Sequence, residues 1–239
     1  MELKKYKHDS PYSYTLGMAP TLELIQCRCE QVGKVYIHPN YTQKDERYNI
    51  FQLCESKNIP WEINKKVFDR LSMKENVFVL GMFYKYQAPV SAEKPHVVLV
   101  NPSNSGNLGT IIRTGLGFGF RDLVIIRPGV DPYDPKSIRS SMGALFHINL
   151  SFFDSFAAYR VQFPQHAVYP FMLKGSVPLD TILEKPQPPF SLVFGNEATG
   201  LPDEFLQYGQ SIRIPQSQEI DSLNLSIAFG IAAYTFSQL

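Results

Sequence analysis

Short apolar runs recur from His96 onward, and each is followed by a polar loop or by a helical pattern of apolar residues. The clearest run is Val97–Val100, and residues 123–126 and 191–194 repeat it. A strand with few polar positions must be covered on both faces, which is typical of the parallel sheets of α/β proteins. The sequence therefore predicts an α/β fold with a parallel sheet, and it predicts a last helix from about Ser222 to Ser237.

The same patterns predict further elements on both sides of these strands. A helix over Pro135–Met142 is expected to lead into a strand at Leu145–Ile148. Residues before Tyr86 also alternate between helix and strand, beginning with a helix over residues 13–29 and continuing with a charged helix after Asn40. This alternation predicts a smaller α/β domain ahead of the parallel sheet.

Three polar segments follow predicted strands: Asn104–Arg113, Phe194–Pro202 and Ile214–Asn224. Ligands of parallel sheets bind beyond the carboxyl ends of the strands, so we expect these segments to form a site. None of them is a dinucleotide fingerprint or a phosphate-binding loop, because the required glycine and lysine spacings are missing.

Each polar residue in these segments also has a structural explanation. Arg113 is either a surface or capping residue, or a residue whose planar guanidinium donates hydrogen bonds to an RNA phosphate. Glu197 is a solvated loop acid, or else it orients Arg113 or a nearby amide. Capping accounts for Asp221 or Ser222 at the start of the last helix, but it does not account for Asn224 inside an apolar helix.

Composition limits the classes of protein that this chain can belong to. No apolar run approaches the ~20 residues of a membrane span, and no apolar signal segment follows the N-terminus, so a cytoplasmic protein is expected. The net charge is +1. Residues 1–87 carry 13 basic and 10 acidic side chains, a net charge of +3, whereas residues 88–239 carry 10 and 12, a net charge of −2. This bias favours RNA contact in the first segment, although ordinary surface charge explains it equally well.

The three cysteines, Cys27, Cys29 and Cys54, do not form a recognisable metal-binding pattern. There is no Cys-x-x-Cys and no nearby histidine pair, so we expect reduced buried thiols and no metal site.

Taken in order, the three polar segments resemble the motifs of the SpoU (TrmH) family, the ribose 2′-O-methyltransferases of structured RNA. The first motif is similar to Asn107-Leu108-Gly109 through Arg113. The second is similar to Phe194-Gly195-Asn196-Glu197 with Gly200-Leu201, and the third to Ile214-Pro215 with Ser222-Leu223-Asn224. The segment Ser141–Phe146 also resembles a Ser-x-Gly-Ala stretch of the family.

The resemblance implies a trefoil knot, a rare exception to unknotted topology, that forms the pocket for S-adenosylmethionine, and it implies a homodimer. It implies that catalysis depends on Asn107, Arg113, Glu197, Ser222 and Asn224. It implies that the cofactor is bound by Leu173, Phe194, Gly195, Asn196, Gly200, Ile214, Pro215, Ser222 and Leu223. Arginine has a pKa above ~12 and is a poor base, so a substrate phosphate must assist Arg113, or Arg113 only positions the RNA.

Residues 12–82 resemble, more loosely, the ribosomal-protein-like RNA-binding domain found in many members of the family. The predicted organisation is a substrate-binding domain at 1–87, a linker at 88–95 and a SpoU methyltransferase domain at 96–239. By resemblance, the substrate is ribosomal RNA rather than tRNA. The alternatives are a tRNA 2′-O-methyltransferase, a non-catalytic RNA-binding assembly factor on the same scaffold, and a base-methylating relative, which Asn107 and Arg113 disfavour.

Overall fold

The structure is a computed structural model that describes residues 4–42, 49–71, 76–175, 177–182 and 188–239. The strands are β1 Tyr12–Leu16, β2 Val32–Ile37, β3 Trp61–Ile63, β4 Val79–Tyr84, β5 His96–Val100, β6 Asp122–Ile126, β7 Asn149–Phe153, β8 Ala167–Pro170, β9 Val177–Pro178, β10 Phe190–Phe194 and β11 Ile212–Arg213. The α-helices are α1 Met18–Cys27, α2 Ile50–Ser56, α3 Lys65–Leu71, α4 Ser105–Gly117, α5 Pro135–Ser140, α6 Phe156–Gln162 and α7 Leu225–Gln238. None of the described helices combines the length and apolarity that a membrane crossing requires.

The chain divides into two compact units. The first contains residues up to Tyr86 together with Asp131–His147, and the second contains Gln87–Val130 together with Ile148–Leu239. The domain boundaries at 87 and 96 stay a prediction, and the observed units differ from them because Asp131–His147 packs with the first unit.

The first unit is built on a mixed four-stranded sheet in the order β1-β4-β2-β3. β4 pairs antiparallel with both β1 and β2, and β3 joins β2 in parallel. Its core contains the fully buried Leu24, Ile25, Val35 and Ile37.

One predicted element of this unit is correct only in part, and another is wrong. The helix expected over residues 13–29 is strand β1 followed by α1, because Tyr12–Leu16 alternates in the pattern of a strand and pairs with β4. Gly17, at φ 108°, turns the chain between them. The strand expected at Leu145–Ile148 is a 3₁₀ helix at Ala144–His147, and the strand follows at Asn149–Phe153. An apolar run so short does not distinguish a buried strand from a buried helical turn. The charged helix predicted after Asn40 falls partly on residues 43–48, outside the described residues, and its remainder is α2.

The second unit confirms the predicted parallel α/β fold. Its main sheet has the strand order β7-β6-β5-β10-β8, and every neighbouring pair is parallel. Val193 of β10 belongs to a core cluster with Tyr159 of α6, while the Phe194 ring meets Phe229 of α7 at 5.6 Å. Because adjacent strand residues point to opposite faces, α6 and α7 cover opposite faces of the sheet. The trefoil knot stays a prediction.

Candidate functional site

Three polar side chains from distant parts of the sequence meet in the second unit. The Glu197 carboxylate accepts a hydrogen bond from Asn107 Nδ2 at 3.2 Å. Asn107 Oδ1 accepts one from Asn224 Nδ2 at 3.1 Å. Each of the three predicted segments therefore contributes one member to a chain of hydrogen bonds, which we call the motif network. Since each amide donates with one atom and accepts with the other, the network fixes the orientation of both asparagines.

Glu197 is also bound by the residues that open helix α4. Its carboxylate accepts from the Ser103 backbone amide at 2.9 Å, from Ser103 Oγ at 2.6 Å and from the Asn104 backbone amide at 3.1 Å. Asn104 caps α4 by accepting from the amides of Gly106 and Asn107. Glu197 thus joins the loop that follows β10 to the loop that follows β5.

These donors set the pKa of Glu197. Burial would raise the pKa of this carboxyl, but hydrogen bonds from Ser103, from its own backbone amide and from Asn107 outweigh burial and hold the pKa below its ordinary value. Donors that bind the charged form of a carboxyl stabilise that form. At neutral pH Glu197 is therefore a carboxylate that positions its neighbours.

The loop that carries Glu197 requires glycine at both ends. A Cβ on Gly195 would lie 2.2 Å from the carbonyl carbon of Gly200, and Gly200 itself adopts φ 66°. Between them, Asn196 Oδ1 accepts from the Ala198 amide at 2.9 Å and Asn196 Nδ2 donates to the Asn101 carbonyl at 2.8 Å. The glycines therefore let the backbone close on itself and present Glu197 to α4.

Helix α7 begins three residues later than predicted, and this changes the explanation for Asn224. Asn224 is the N-cap of α7, where its Oδ1 accepts from the Ser226 amide at 2.9 Å. The prediction that Asp221 or Ser222 caps the helix is wrong. The Asn224 side chain caps with its oxygen and joins the motif network with its nitrogen, so it performs both tasks at once.

Arg113 lies on α4 but outside the motif network. Asn107, Thr110 and Arg113 follow one another at a spacing of three residues, which keeps them near one face of the helix, and Arg113 lies about 9 Å further along the axis than Asn107. Its side chain is exposed, and it makes no hydrogen bond or ion pair with the described residues. Glu197 therefore orients Asn107 rather than Arg113, and the guanidinium presents all of its donors to solvent.

A cavity of about 410 Å³ lies beside the motif network and contains Glu197 in its wall. Its size falls within the range of small-molecule sites, which are roughly 300–1,000 Å³. Of the residues predicted to bind cofactor, those that line it are Leu173, Phe194, Gly195, Asn196, Gly200, Ile214, Ser222 and Leu223. Pro215 is not in the wall, although its neighbours Ile214 and Gln216 are.

The cavity combines apolar walls with a small number of polar groups. The rings of Phe171 and Phe194 stack at 4.5 Å in its wall. Ser222 is exposed to the cavity and makes no hydrogen bond with the described residues. Lys174 pairs with Asp203 at 3.1 Å in the wall. This arrangement suits a ligand with a flat apolar part and polar ends.

The sequence did not identify Ser103 or Phe171 as site residues. Ser103 directly precedes the helix-capping Asn104, and the only signal was its place in a polar loop after a strand. Phe171 follows β8, and an aromatic residue at a strand end is indistinguishable from a core residue by pattern alone.

Comparison with known proteins agrees with the geometry. The SpoU rRNA Methylase family matches residues 94–234. An uncharacterized tRNA/rRNA methyltransferase of Synechocystis is 28% identical over 213 residues, covering 84% of this chain and 77% of that protein. The 23S rRNA (guanosine(2553)-2′-O)-methyltransferase RlmP of Bacillus subtilis is 33% identical over 137 residues, covering 54% of this chain and 52% of RlmP.

A solved structure extends the similarity to almost the whole chain. The S-adenosylmethionine-bound rRNA methyltransferase from Sinorhizobium meliloti superposes with a TM-score of 0.80 at 27% identity, covering 95% of this chain and 87% of that one. Since the family match spans more than half of the sequence and includes all three motif segments, the chain belongs to the SpoU rRNA methylase family.

Proposed function

We propose that this protein is an RNA 2′-O-methyltransferase that uses S-adenosylmethionine and methylates ribosomal RNA. The observation that carries the proposal is the motif network, in which Asn107, Glu197 and Asn224 meet beside the cavity. The family membership and the relatives named as 2′-O- and rRNA methyltransferases support the same assignment.

The cavity residues fit the cofactor. S-adenosylmethionine has a flat adenine and a charged methionyl end, and it supplies an electrophilic methyl group. Phe194, Leu223 and Ile214 provide apolar wall for the adenine, while the backbone of the Gly195–Gly200 loop and the free hydroxyl of Ser222 offer polar partners. These residues are therefore proposed to bind the cofactor. Leu173 and Asn196 in the same wall, and Pro215 next to Ile214, are proposed to take part as well.

Arg113 acts on the RNA side of the site. Methyl transfer forms a bond from the ribose oxygen to the methyl carbon, releases S-adenosylhomocysteine and requires that the hydroxyl lose its proton. A guanidinium is charged at all ordinary pH values, so Arg113 does not accept that proton. Its planar fork instead binds an RNA phosphate and so holds the hydroxyl in place, while the proton passes to solvent as the bond to the methyl group forms.

Ribosomal RNA is the preferred substrate class for two reasons. The Sinorhizobium meliloti relative, whose similarity covers 95% of this chain, is named an rRNA methyltransferase, and RlmP is named for 23S rRNA. The Synechocystis relative is named for tRNA and rRNA together, so tRNA is the alternative to test. We place the protein in the cytoplasm with this substrate.

The first unit offers a surface for RNA recruitment. A groove of about 500 Å³ is lined by the basic residues Lys34, Lys66 and Arg70, by Glu62, which pairs with Lys34 at 2.6 Å, and by Tyr84, which is 48% exposed. Basic side chains bind phosphates, and exposed aromatic rings stack on unpaired bases. Replacing Lys66 and Tyr84 together with alanine should weaken RNA binding at least about tenfold and flatten its salt dependence. Cofactor affinity serves as the control, and unchanged RNA affinity would refute this surface.

A homodimer is the proposed assembly. Helix α7 exposes Ile227 (55%), Ile231 (38%) and Tyr234 (56%). These residues are four and three positions apart, so they form one apolar stripe. A second copy of the chain would cover the stripe on both subunits at once.

Calorimetry with the full-length protein tests the cofactor site. We expect saturable binding of S-adenosylmethionine without RNA, and we expect Leu223→Arg to remove it by filling the cavity. Leu206→Arg, an exposed leucine outside the cavity wall, is the matched control. If the wild-type protein does not bind the cofactor, the enzyme assignment is refuted, and the hypothesis of a non-catalytic RNA-binding assembly factor remains.

A further inference from the structure

The first unit brings three potential metal ligands together at a place unrelated to the motif network. Glu23, Cys27 and His147 each contribute one ligand atom, and these atoms all lie within 4.8 Å of one another. His147 Nε2 lies 2.6 Å from Glu23 Oε2 and 3.3 Å from Cys27 Sγ. We propose that these residues form a binding site for a zinc ion.

The ligand types match this ion. Zinc is bound in proteins by thiolate, imidazole and carboxylate, and it prefers a tetrahedral arrangement. Zinc bonds of about 2.0–2.3 Å place tetrahedral ligand atoms roughly 3.3–3.8 Å apart. The Cys27–His147 separation already meets this value, and the Glu23 carboxylate needs to move outward by only about 1 Å. A thiolate and a carboxylate together neutralise the charge of the ion.

Two elements hold the ligands in place. Glu23 and Cys27 are four residues apart on α1, so both side chains lie on one face of the helix. The neighbouring Leu24 and Ile25 are fully buried, which anchors α1 in the core. His147 ends the 3₁₀ helix, and the preceding Phe146 is fully buried against Phe83 at 5.2 Å.

Gly143 permits the close approach of these two elements. It adopts φ 87°, and a Cβ at this position would lie 2.7 Å from Glu23 Cβ and 3.0 Å from Pro20 Cα. A glycine here therefore lets the 3₁₀ helix lie directly on α1, which brings His147 to Glu23 and Cys27.

The site is accessible to an ion from solution. The side chains of His147 and Glu23 are 31% and 37% exposed, so solvent reaches both of these ligands. A bound ion would link α1 to the Asp131–His147 segment within the first unit and stabilise the folded state by mass action.

Cobalt substitution in the full-length protein tests the proposal. After chelator treatment, one Co²⁺ per chain should give tetrahedral ligand-field bands and a thiolate-to-cobalt charge-transfer band, and Zn²⁺ should displace it. Cys27→Ser should abolish the charge-transfer band. His147→Gln and Glu23→Gln should each weaken Zn²⁺ binding by more than about tenfold, since losing a ligand exceeds the usual cost of losing an outer-shell partner.

Cys29→Ser is the matched control, because Cys29 is equally half-buried but contacts Glu30 rather than the cluster. It should bind Co²⁺ like the wild type. Zn²⁺ should raise the melting temperature of the wild type and of Cys29→Ser but not of Cys27→Ser, and melting of the metal-free proteins verifies that each variant is folded. Absence of saturable binding, or a charge-transfer band that survives in Cys27→Ser, would overturn the proposal.

Discussion

Arg113 is the residue whose environment most clearly separates an RNA-binding role from a structural one. Its guanidinium is exposed and has no partner among the described residues, so its removal should cost little stability. Arg113→Ala should lower methyl transfer by about a hundredfold or more, which is the usual effect of removing a donor that stabilises a reacting group. Affinity for S-adenosylmethionine should stay unchanged.

Lysine should restore only part of the lost activity, because a single ammonium cannot reproduce the planar fork. These outcomes are measured by initial rates at saturating cofactor and by calorimetry of the free enzyme. Activity of Arg113→Ala within a few-fold of wild type would show that the guanidinium does not act on the RNA.

Glu197→Gln tests the motif network. The substitution keeps the shape of the side chain but replaces one carboxylate oxygen with an NH2 group, which donates. The single remaining oxygen cannot accept from Ser103, Asn104 and Asn107 together. We expect a loss of about 1–3 kcal/mol of stability and weaker cofactor binding. Glu204→Gln is a control on a neighbouring exposed acid. Equal unfolding free energies for the two variants would show that the network is dispensable.

The sequence predicted which residues meet in the site, but it did not predict that Asn224 is a helix cap or that Glu23, Cys27 and His147 meet. The sequence placed Asn107 and Glu197 in segments that converge, because these segments follow β5 and β10, which are adjacent parallel strands of one sheet. Asn224 follows β11, which pairs with β9 in a separate two-stranded sheet, and it reaches the other two residues from the start of α7. The sequence did not show that Asn224 is a cap, since a helix start is uncertain by a few residues when several polar residues precede it. Nor did it predict the cluster of Glu23 and Cys27 with His147, whose position is 120 residues from Cys27. The spacing of Glu23 and Cys27 places both on one face of a helix, but His147 comes close to them only in the folded chain.

At the level of elements, helix α7 has two apolar sides and one of them is exposed. Phe229 and Phe236 are fully buried against the sheet, while Ile227 and Ile231 point outward. Replacing both isoleucines with lysine should therefore convert a dimer to a monomer without unfolding the chain. Light scattering measures the mass, and Val161→Lys, which is 82% exposed on α6, is the matched control. A wild-type protein at the monomer mass of 27.2 kDa would contradict the dimer.

The elements also show where periodicity sufficed and where it did not. The apolar runs of β5, β6 and β10 predicted a parallel sheet because burial on both faces leaves no polar positions. The runs at 13–16 and 145–148 were misassigned because a run of only four residues fits a strand and a helix equally well. Gly17 lies between β1 and α1, and Gly143 directly precedes the 3₁₀ helix. Both adopt positive φ values that turn the chain there, and the sequence alone does not show these values.

At the level of the whole molecule, a buried polar cluster makes stability depend on pH. His96 at the start of β5 and His166 just before β8 have their rings 4.1 Å apart. His96 lies close to Tyr159, and His166 lies close to Ser191 of β10. Burial lowers the pKa of His96 to about 4, with a smaller contribution from His166, although a hydrogen bond to the Ser91 carbonyl acts in the opposite direction. Burial also lowers the pKa of His166.

The folded state therefore favours neutral histidine, and the unfolded state takes up protons first. This contribution is complete above the unfolded pKa of about 6.5 and is lost as the pH falls towards the folded pKa. Urea unfolding should show a loss of about 2 kcal/mol from His96 alone between neutral pH and about pH 5. His96→Gln should reduce this slope, and His8→Gln, at an exposed position, should not. A slope that is the same in both variants would contradict the role of the cluster.

The most direct test of the whole account is the position of the transferred methyl group. Purified protein is incubated with labelled S-adenosylmethionine and ribosomal RNA or tRNA, and the products are digested and mapped. We expect the label on ribose 2′-oxygens of ribosomal RNA, and about a hundredfold less label with the Arg113→Ala protein. A label on tRNA alone would change the substrate but keep the reaction. A label on a base, or no transfer to either RNA, would contradict the assignment as a 2′-O-methyltransferase.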